Sequence, residues 1–165
     1  VERSRGLGDV YKRQPSGNPW QKKDATSFIH RYEMTKILIK ESHFFEISDI
    51  ENSQKKPSYT SETLKKLNQP KEKLYFILGS DAAMNIKTWK NYEILPSLTN
   101  FLIALRSEDS IEKLDKNFPF NYEIIQGDKL NLSSTSLRKK LKERDTKNSE
   151  LPLGILNYII DKNLY

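Results

Sequence analysis

Five consecutive apolar residues, Leu74-Tyr75-Phe76-Ile77-Leu78, run straight into Gly79-Ser80-Asp81, and no other stretch restricts the fold as much. A strand with one wet face alternates apolar and polar side chains; an unbroken run predicts a strand buried on both faces, as in a parallel sheet. Phe101-Leu102-Ile103-Ala104-Leu105 repeats the pattern, and Tyr122-Glu123-Ile124-Ile125 is a weaker third. Helical spacing fills the gaps, near Trp89–Leu95 and Ser110–Lys116, and returns at Ser136–Lys142 and Pro152–Asp161. Strands alternating with helices predict an α/β fold of βαβ units, a parallel sheet with helices on both faces. Ligands of such sheets sit beyond the carboxyl ends of the strands, so the polar residues after each run are the ones to inspect.

Upstream, a loop over Pro15–Lys23 precedes a helical pattern over Ser27–Lys40, in which Phe28, Ile29, Tyr32, Met34, Ile37 and Leu38 recur at helical spacing. Phe44–Ile47 reads as a short strand, and Ser61–Leu67 as a helix capped by Thr60 or Ser58. Residues 1–14 stand apart. They hold three of the seven arginines, two glycines and no strand or helix period. The stretch resembles translated adapter sequence, and it is read as non-native or as a disordered tail, outside the domain formed by 15–165.

The 165 residues suit one domain, and no internal repeat is visible. No run nears the ~18 apolar residues of a membrane span, and the start lacks the apolar core of a secretory signal. Zero cysteines excludes disulfides and thiolate metal sites. Two histidines, His30 and His43, exclude a histidine-rich metal site and read as structural or surface residues. A cytoplasmic protein is expected. The net charge is +6, and +4 once the four basic and two acidic residues of 1–14 are removed. The lysines are scattered among acids and form no aromatic-interleaved stripe, which argues for a solvated surface and against nucleic acid.

Two segments could carry chemistry. Gly79-Ser80-Asp81 offers a close backbone approach and a carboxylate for ribose hydroxyls, although it also suits an ordinary strand-to-helix turn. Ser133-Ser134-Thr135-Ser136-Leu137-Arg138 gathers hydroxyls at a helix start, where free N–H groups and the helix dipole favour an anion. Arg138, one turn in, can set a planar five-donor guanidinium on a phosphate. The competing reading is a capped basic surface helix. Tyr59 and Trp89 stand beside helix starts, where an aromatic either stacks on a flat heterocycle or joins the core.

In order, these motifs resemble the nicotinate-nucleotide adenylyltransferase family of the nucleotidyltransferase superfamily. The resemblance runs from Pro15-Ser16-Gly17-Asn18-Pro19-Trp20-Gln21-Lys22 through Arg31 and Met34, then Glu51 and Pro57-Ser58-Tyr59-Thr60. It continues through Phe76-Ile77-Leu78-Gly79-Ser80-Asp81, Thr88-Trp89, Ser133–Arg138 and the closing Pro152, Tyr158, Ile159, Leu164 and Tyr165. It implies a Rossmann-like fold and adenylyl transfer from ATP to nicotinic acid mononucleotide, with Mg2+ accompanying ATP and a homo-oligomer compatible. By this resemblance Tyr59, Thr60 and Trp89 surround the nicotinate ring, and Gly79 and Asp81 line the ribose. Ser133, Ser134, Thr135, Arg138 and Lys22 meet the ATP phosphates, Arg138 stabilising charge there.

The family's His-x-Gly-His signature does not occur in this sequence. The first βαβ unit, roughly 30 residues or more, is read as largely missing, and catalysis by this chain as impaired. Gln21 stands where many members have His, and Ser107-Glu108 where Pro-Gly is usual. The alternatives are transfer to nicotinamide mononucleotide or phosphopantetheine, or a non-catalytic basic binding fragment.

Overall fold

The computed structural model describes residues 11–17, 25–52, 57–105, 110–125, 134–143 and 151–165. Their backbone packing divides the chain into two compact units, one from Val1–Ser58 with Ser133–Tyr165, the other from Tyr59–Leu132.

The contiguous unit is built on the three predicted strands, β3 (Tyr75–Gly79), β4 (Asn100–Ala104) and β5 (Glu123–Ile125). They pair in parallel in the order β3-β4-β5, with Leu78 opposite Ile103 and Ile103 opposite Ile124. Parallel neighbours need a crossover between them, and helices supply it. The core joins Leu78, Phe101 and Ile103 to Leu64 of helix α2 (Thr60–Leu67), Ala83 of α3 (Ser80–Met84), Leu95 of α4 (Leu95–Leu98) and Leu114 of α5 (Ile111–Asn117). The apolar run in β3 that predicts burial on both faces is buried on one within this unit. Leu78 is covered, whereas Tyr75 and Ile77 on the opposite face are each 44% exposed.

Two local predictions need correction. The helix expected over Trp89–Leu95 is instead a single 3-10 turn, Tyr92–Ile94, leading into α4, while another 3-10 turn, Ile86–Thr88, precedes Trp89. Asn91 has φ 54°, a left-handed conformation that reverses the chain and cannot propagate an α-helix. Neither Thr60 nor Ser58 caps α2; the cap position is Tyr59, with no side-chain bond, and Thr60 is the first helical residue. A Ser cap is found instead at α5, where Ser110 accepts a hydrogen bond from the Lys113 amide.

The other unit contains α1 (Phe28–Ile39), α6 (Ser134–Lys142) and α7 (Leu153–Asp161), with a two-stranded parallel pair. That pair is β1 (Tyr11–Arg13) and β2 (Phe45–Ile47). Tyr11–Arg13 thus joins a sheet, although it belongs to the stretch expected to stand outside the fold. Main-chain pairing makes no demand on side-chain period, and here cross-strand contacts support it. Tyr11 packs on Phe45 at 5.4 Å, Lys12 reaches Glu46 at 3.2 Å, and the Arg13 guanidinium lies 5.2 Å from the Phe45 ring. In α7 the i,i+4 pair Ile155 and Ile159 is buried, and His30 Nδ1 of α1 lies 3.0 Å from the Tyr158 hydroxyl. Among the described residues no helix is long and apolar enough to cross a membrane.

Candidate functional site

The predicted ring-binding and ribose-binding residues all fall in the contiguous unit. Gly79 ends β3 and Asp81 lies in the first turn of α3, at the carboxyl end of the sheet where the fold places ligands. Gly79 has φ −76°, so backbone freedom does not require glycine there. Room does: a Cβ at 79 would lie 2.7 Å from Asp81 Oδ1. The absent side chain lets the carboxylate fold back over the strand end. The side-chain amide of Asn85 donates to the Asp81 carbonyl at 2.9 Å and steadies that turn.

Trp89 follows α3 through the first 3-10 turn and is extended, with its ring edge-on to Phe76 of β3 at 6.1 Å and 77°. It is part of the wall of the core yet only partly buried. Tyr59 lies ahead of α2, whose first N–H groups have no partner within the helix. Two ties bind this helix start to the segment after Trp89. Ser61, 1% exposed, donates its hydroxyl to the Lys90 carbonyl at 3.2 Å. The Lys90 ammonium lies 4.2 Å from the Tyr59 ring centroid and 3.2 Å from Glu62 Oε1. The fold therefore brings the start of α2 against Lys90, the residue next to Trp89, although 29 residues separate Ser61 from Lys90.

The phosphate candidates fall in the discontinuous unit. Helix α6 begins at Ser134, two residues before the predicted Ser136, so Ser134 and Thr135 are in its first turn and exposed. Arg138 is exposed one turn on, its guanidinium 5.9 Å from the Tyr165 ring. The Ser134 and Thr135 hydroxyls therefore lie in the first turn of a helix, at the positive end of its dipole. Ser133 and Lys22 lie outside the described residues.

The same unit explains why Pro15-Ser16-Gly17, Arg31, Glu51 and Ser58 belong to one motif. Arg31 donates from Nε to the Thr26 carbonyl at 2.8 Å, from Nη2 to the Gly17 carbonyl at 3.0 Å, and from Nη1 to the Ser16 carbonyl. Burial lowers its pKa, while Tyr165 and Glu51 pull it back up. A Cβ on Gly17 would collide with the Glu51 carbonyl oxygen, so only glycine lets the two backbones touch. Ser58 Oγ closes on the same carbonyl at 3.4 Å. Reasoning from spacing gave neither Arg31 nor Ser61 and Lys90 a role. The tie of Ser61 and Lys90 to a shared site is invisible in one dimension.

A separate shallow hollow, lined by Asp115, Phe118, Pro119, Phe120, Asn121 and Tyr122, precedes β5 at the opposite, amino edge of the sheet. Its position sets it apart from the groups above.

Residues 7–140 match the Cytidylyltransferase-like family. A probable nicotinate-nucleotide adenylyltransferase of Desulfitobacterium hafniense (strain Y51) is 36% identical over 162 residues, covering 92% of this chain and 78% of its own length. One from Clostridium botulinum (strain Eklund 17B / Type B) is 32% identical over 160 residues, with coverage of 92% and 80%. Among solved structures, the Plasmodium falciparum nicotinic acid mononucleotide adenylyltransferase complexed with NaAD superposes with a TM-score of 0.77 at 27% identity. It spans 98% of this chain and 85% of its own.

Proposed function

Because the chain belongs to the nicotinate-nucleotide adenylyltransferases, within the Cytidylyltransferase-like family, we propose that it binds nicotinic acid mononucleotide and ATP for adenylyl transfer. The products are deamido-NAD and pyrophosphate. A phosphate oxygen of the mononucleotide attacks the α-phosphorus of ATP, and the bond from that phosphorus to the β-phosphate oxygen breaks. No protein nucleophile is needed; the residues position two anions and neutralise developing charge. Trp89 stacks on the nicotinate ring, with Tyr59 and Thr60 beside it, and Gly79 and Asp81 border the ribose. Ser133, Ser134, Thr135, Arg138 and Lys22 hold ATP phosphates, and Arg138 is the main charge partner. The observation that carries this reading is the double tie between the start of α2 and the segment after Trp89.

Mg2+ enters with ATP. Its charge would help neutralise the ATP phosphates beside Arg138. The reaction is proposed to take place in the cytoplasm.

The sequence contains no His-x-Gly-His, and its two histidines are on α1 and just ahead of β2. The 165-residue polypeptide is therefore expected to bind both substrates and to turn them over far more slowly than a relative carrying that motif. Calorimetric titration of the acid mononucleotide, the amide mononucleotide, phosphopantetheine and ATP, paired with a pyrophosphate-release assay, tests both statements. Saturable binding of the acid form and ATP is expected. Failure to bind the acid form, or preferential binding of phosphopantetheine, refutes the assignment; turnover equal to a full-length relative refutes the impairment.

A further inference from the structure

We infer that Lys90 is a positioning residue of the nicotinate-ring site, holding the Tyr59 ring and the first turn of α2 in register with Trp89. This deepens the substrate reading above and rests on it. Residue 90 reaches the first turn of α2 from both of its ends. Its carbonyl accepts from buried Ser61, and its ammonium lies over the face of Tyr59 while pairing with Glu62. Immediately afterwards, left-handed Asn91 turns the chain away, so Lys90 is the last residue of the Trp89 segment able to make both contacts.

Tyr59 has an extended backbone ahead of the helix, so α2 itself does not set the direction of its ring, and Lys90 does. A cation over a ring fixes the plane of that ring, and the ion pair with Glu62 fixes the cation. A ring slot assembled before the ligand arrives loses less freedom on binding, which appears as affinity. The Lys90 and Glu62 side chains are about half exposed, at 48% and 51%, so the pair adds little to the stability of the whole fold. Its effect is local.

The test is calorimetric titration of the full chain with nicotinic acid mononucleotide and, separately, with ATP. Lys90→Met keeps the stem and removes the charge; Lys90→Arg keeps a cation for both Tyr59 and Glu62. We expect Lys90→Met to weaken mononucleotide binding about five- to tenfold, from loss of an exposed cation–π contact and an ion pair. ATP binding is expected to be unchanged, and Lys90→Arg to restore mononucleotide affinity to within about twofold. Unaltered mononucleotide binding by Lys90→Met overturns the inference, as does an equal loss for ATP or a failure of Arg to rescue. If the unsubstituted chain does not bind the mononucleotide at all, the substrate reading itself fails, and the role of Lys90 with it.

Discussion

Replacing Arg31 by Lys keeps the charge and removes the fork, which isolates what the guanidinium geometry contributes. Arg31 serves three carbonyls, of Ser16, Gly17 and Thr26, from three different nitrogens. Hydrogen bonds from a charged donor contribute about 1.5–3 kcal/mol each, and partial exposure lowers that to roughly 1–1.5 here. An ammonium on a shorter stem reaches one of the three carbonyls, so two are lost and the expected cost is about 2–3 kcal/mol. The loss is concentrated where Gly17 is pressed against the Glu51 carbonyl, a contact with no slack. Urea unfolding followed by far-UV circular dichroism should show the midpoint falling by roughly 1–2 M for a slope typical of this size. Hydrogen exchange resolves the location, with protection lost first beside this segment, at the Ser48 amide that donates to the Arg13 carbonyl. A Lys variant within about 0.5 kcal/mol of the parent, with exchange there unchanged, would refute the claim that the fork anchors this segment.

Ile103, fully buried between Leu78 and Ile124 in the sheet, should cost about 3–4 kcal/mol when cut to Ala, measured by the same unfolding curve. Gly79→Ala should leave the melting temperature within a few degrees yet weaken nucleotide binding several-fold, because the new methyl displaces the Asp81 carboxylate rather than backbone; unchanged affinity in calorimetry would show that this carboxylate has no part in binding. The Tyr122 hydroxyl donates to Asp115 Oδ1 at 2.5 Å, and that bond, with smaller contributions from burial and the Asp115 charge, pushes its pKa up to about 12 from 10.0. The folded phenol then keeps its proton longer than the unfolded one, so the stability it lends is whole below pH 10 and fades as pH climbs through about 12. Phenolate absorbance should show one late-titrating tyrosine that vanishes in Tyr122→Phe.

The sheet was legible because burial writes itself into sequence as an unbroken apolar run. Leu74–Leu78 and Phe101–Leu105 each fell within one residue of the observed strand, and their parallel pairing was expected from strands alternating with helical segments. The segment after Trp89 was not legible: its apolar spacing is helical, yet Asn91 adopts a conformation that spacing cannot report. The pairing of Tyr11–Arg13 was hidden for a related reason, since short exposed strands are held by main-chain bonds that leave no pattern. In the candidate site, the residue types were readable but the partnerships were not. Ser61 and Lys90 look like ordinary helix-surface and loop residues until the fold places one on the other, and Arg31 looks like a helix-surface charge until Ser16 and Gly17 come into reach.

The division of the chain also sets an order of events at the ribosome. The unit from Tyr59–Leu132 is contiguous, and its strand pairs close over crossovers that lie wholly within it, so it can form as soon as those residues emerge. The other unit waits. Its α1 packs on α7, and the bond from His30 to Tyr158 spans 128 residues, a loop that closes only after α7 has emerged. Until then α1, with Ile29 and Leu38 already facing outward, lacks its helical partner and presents apolar surface to whatever is nearby. A nascent chain therefore carries α1 without α7 throughout the synthesis of the contiguous unit, and pauses in translation before residue 153 would lengthen that exposure.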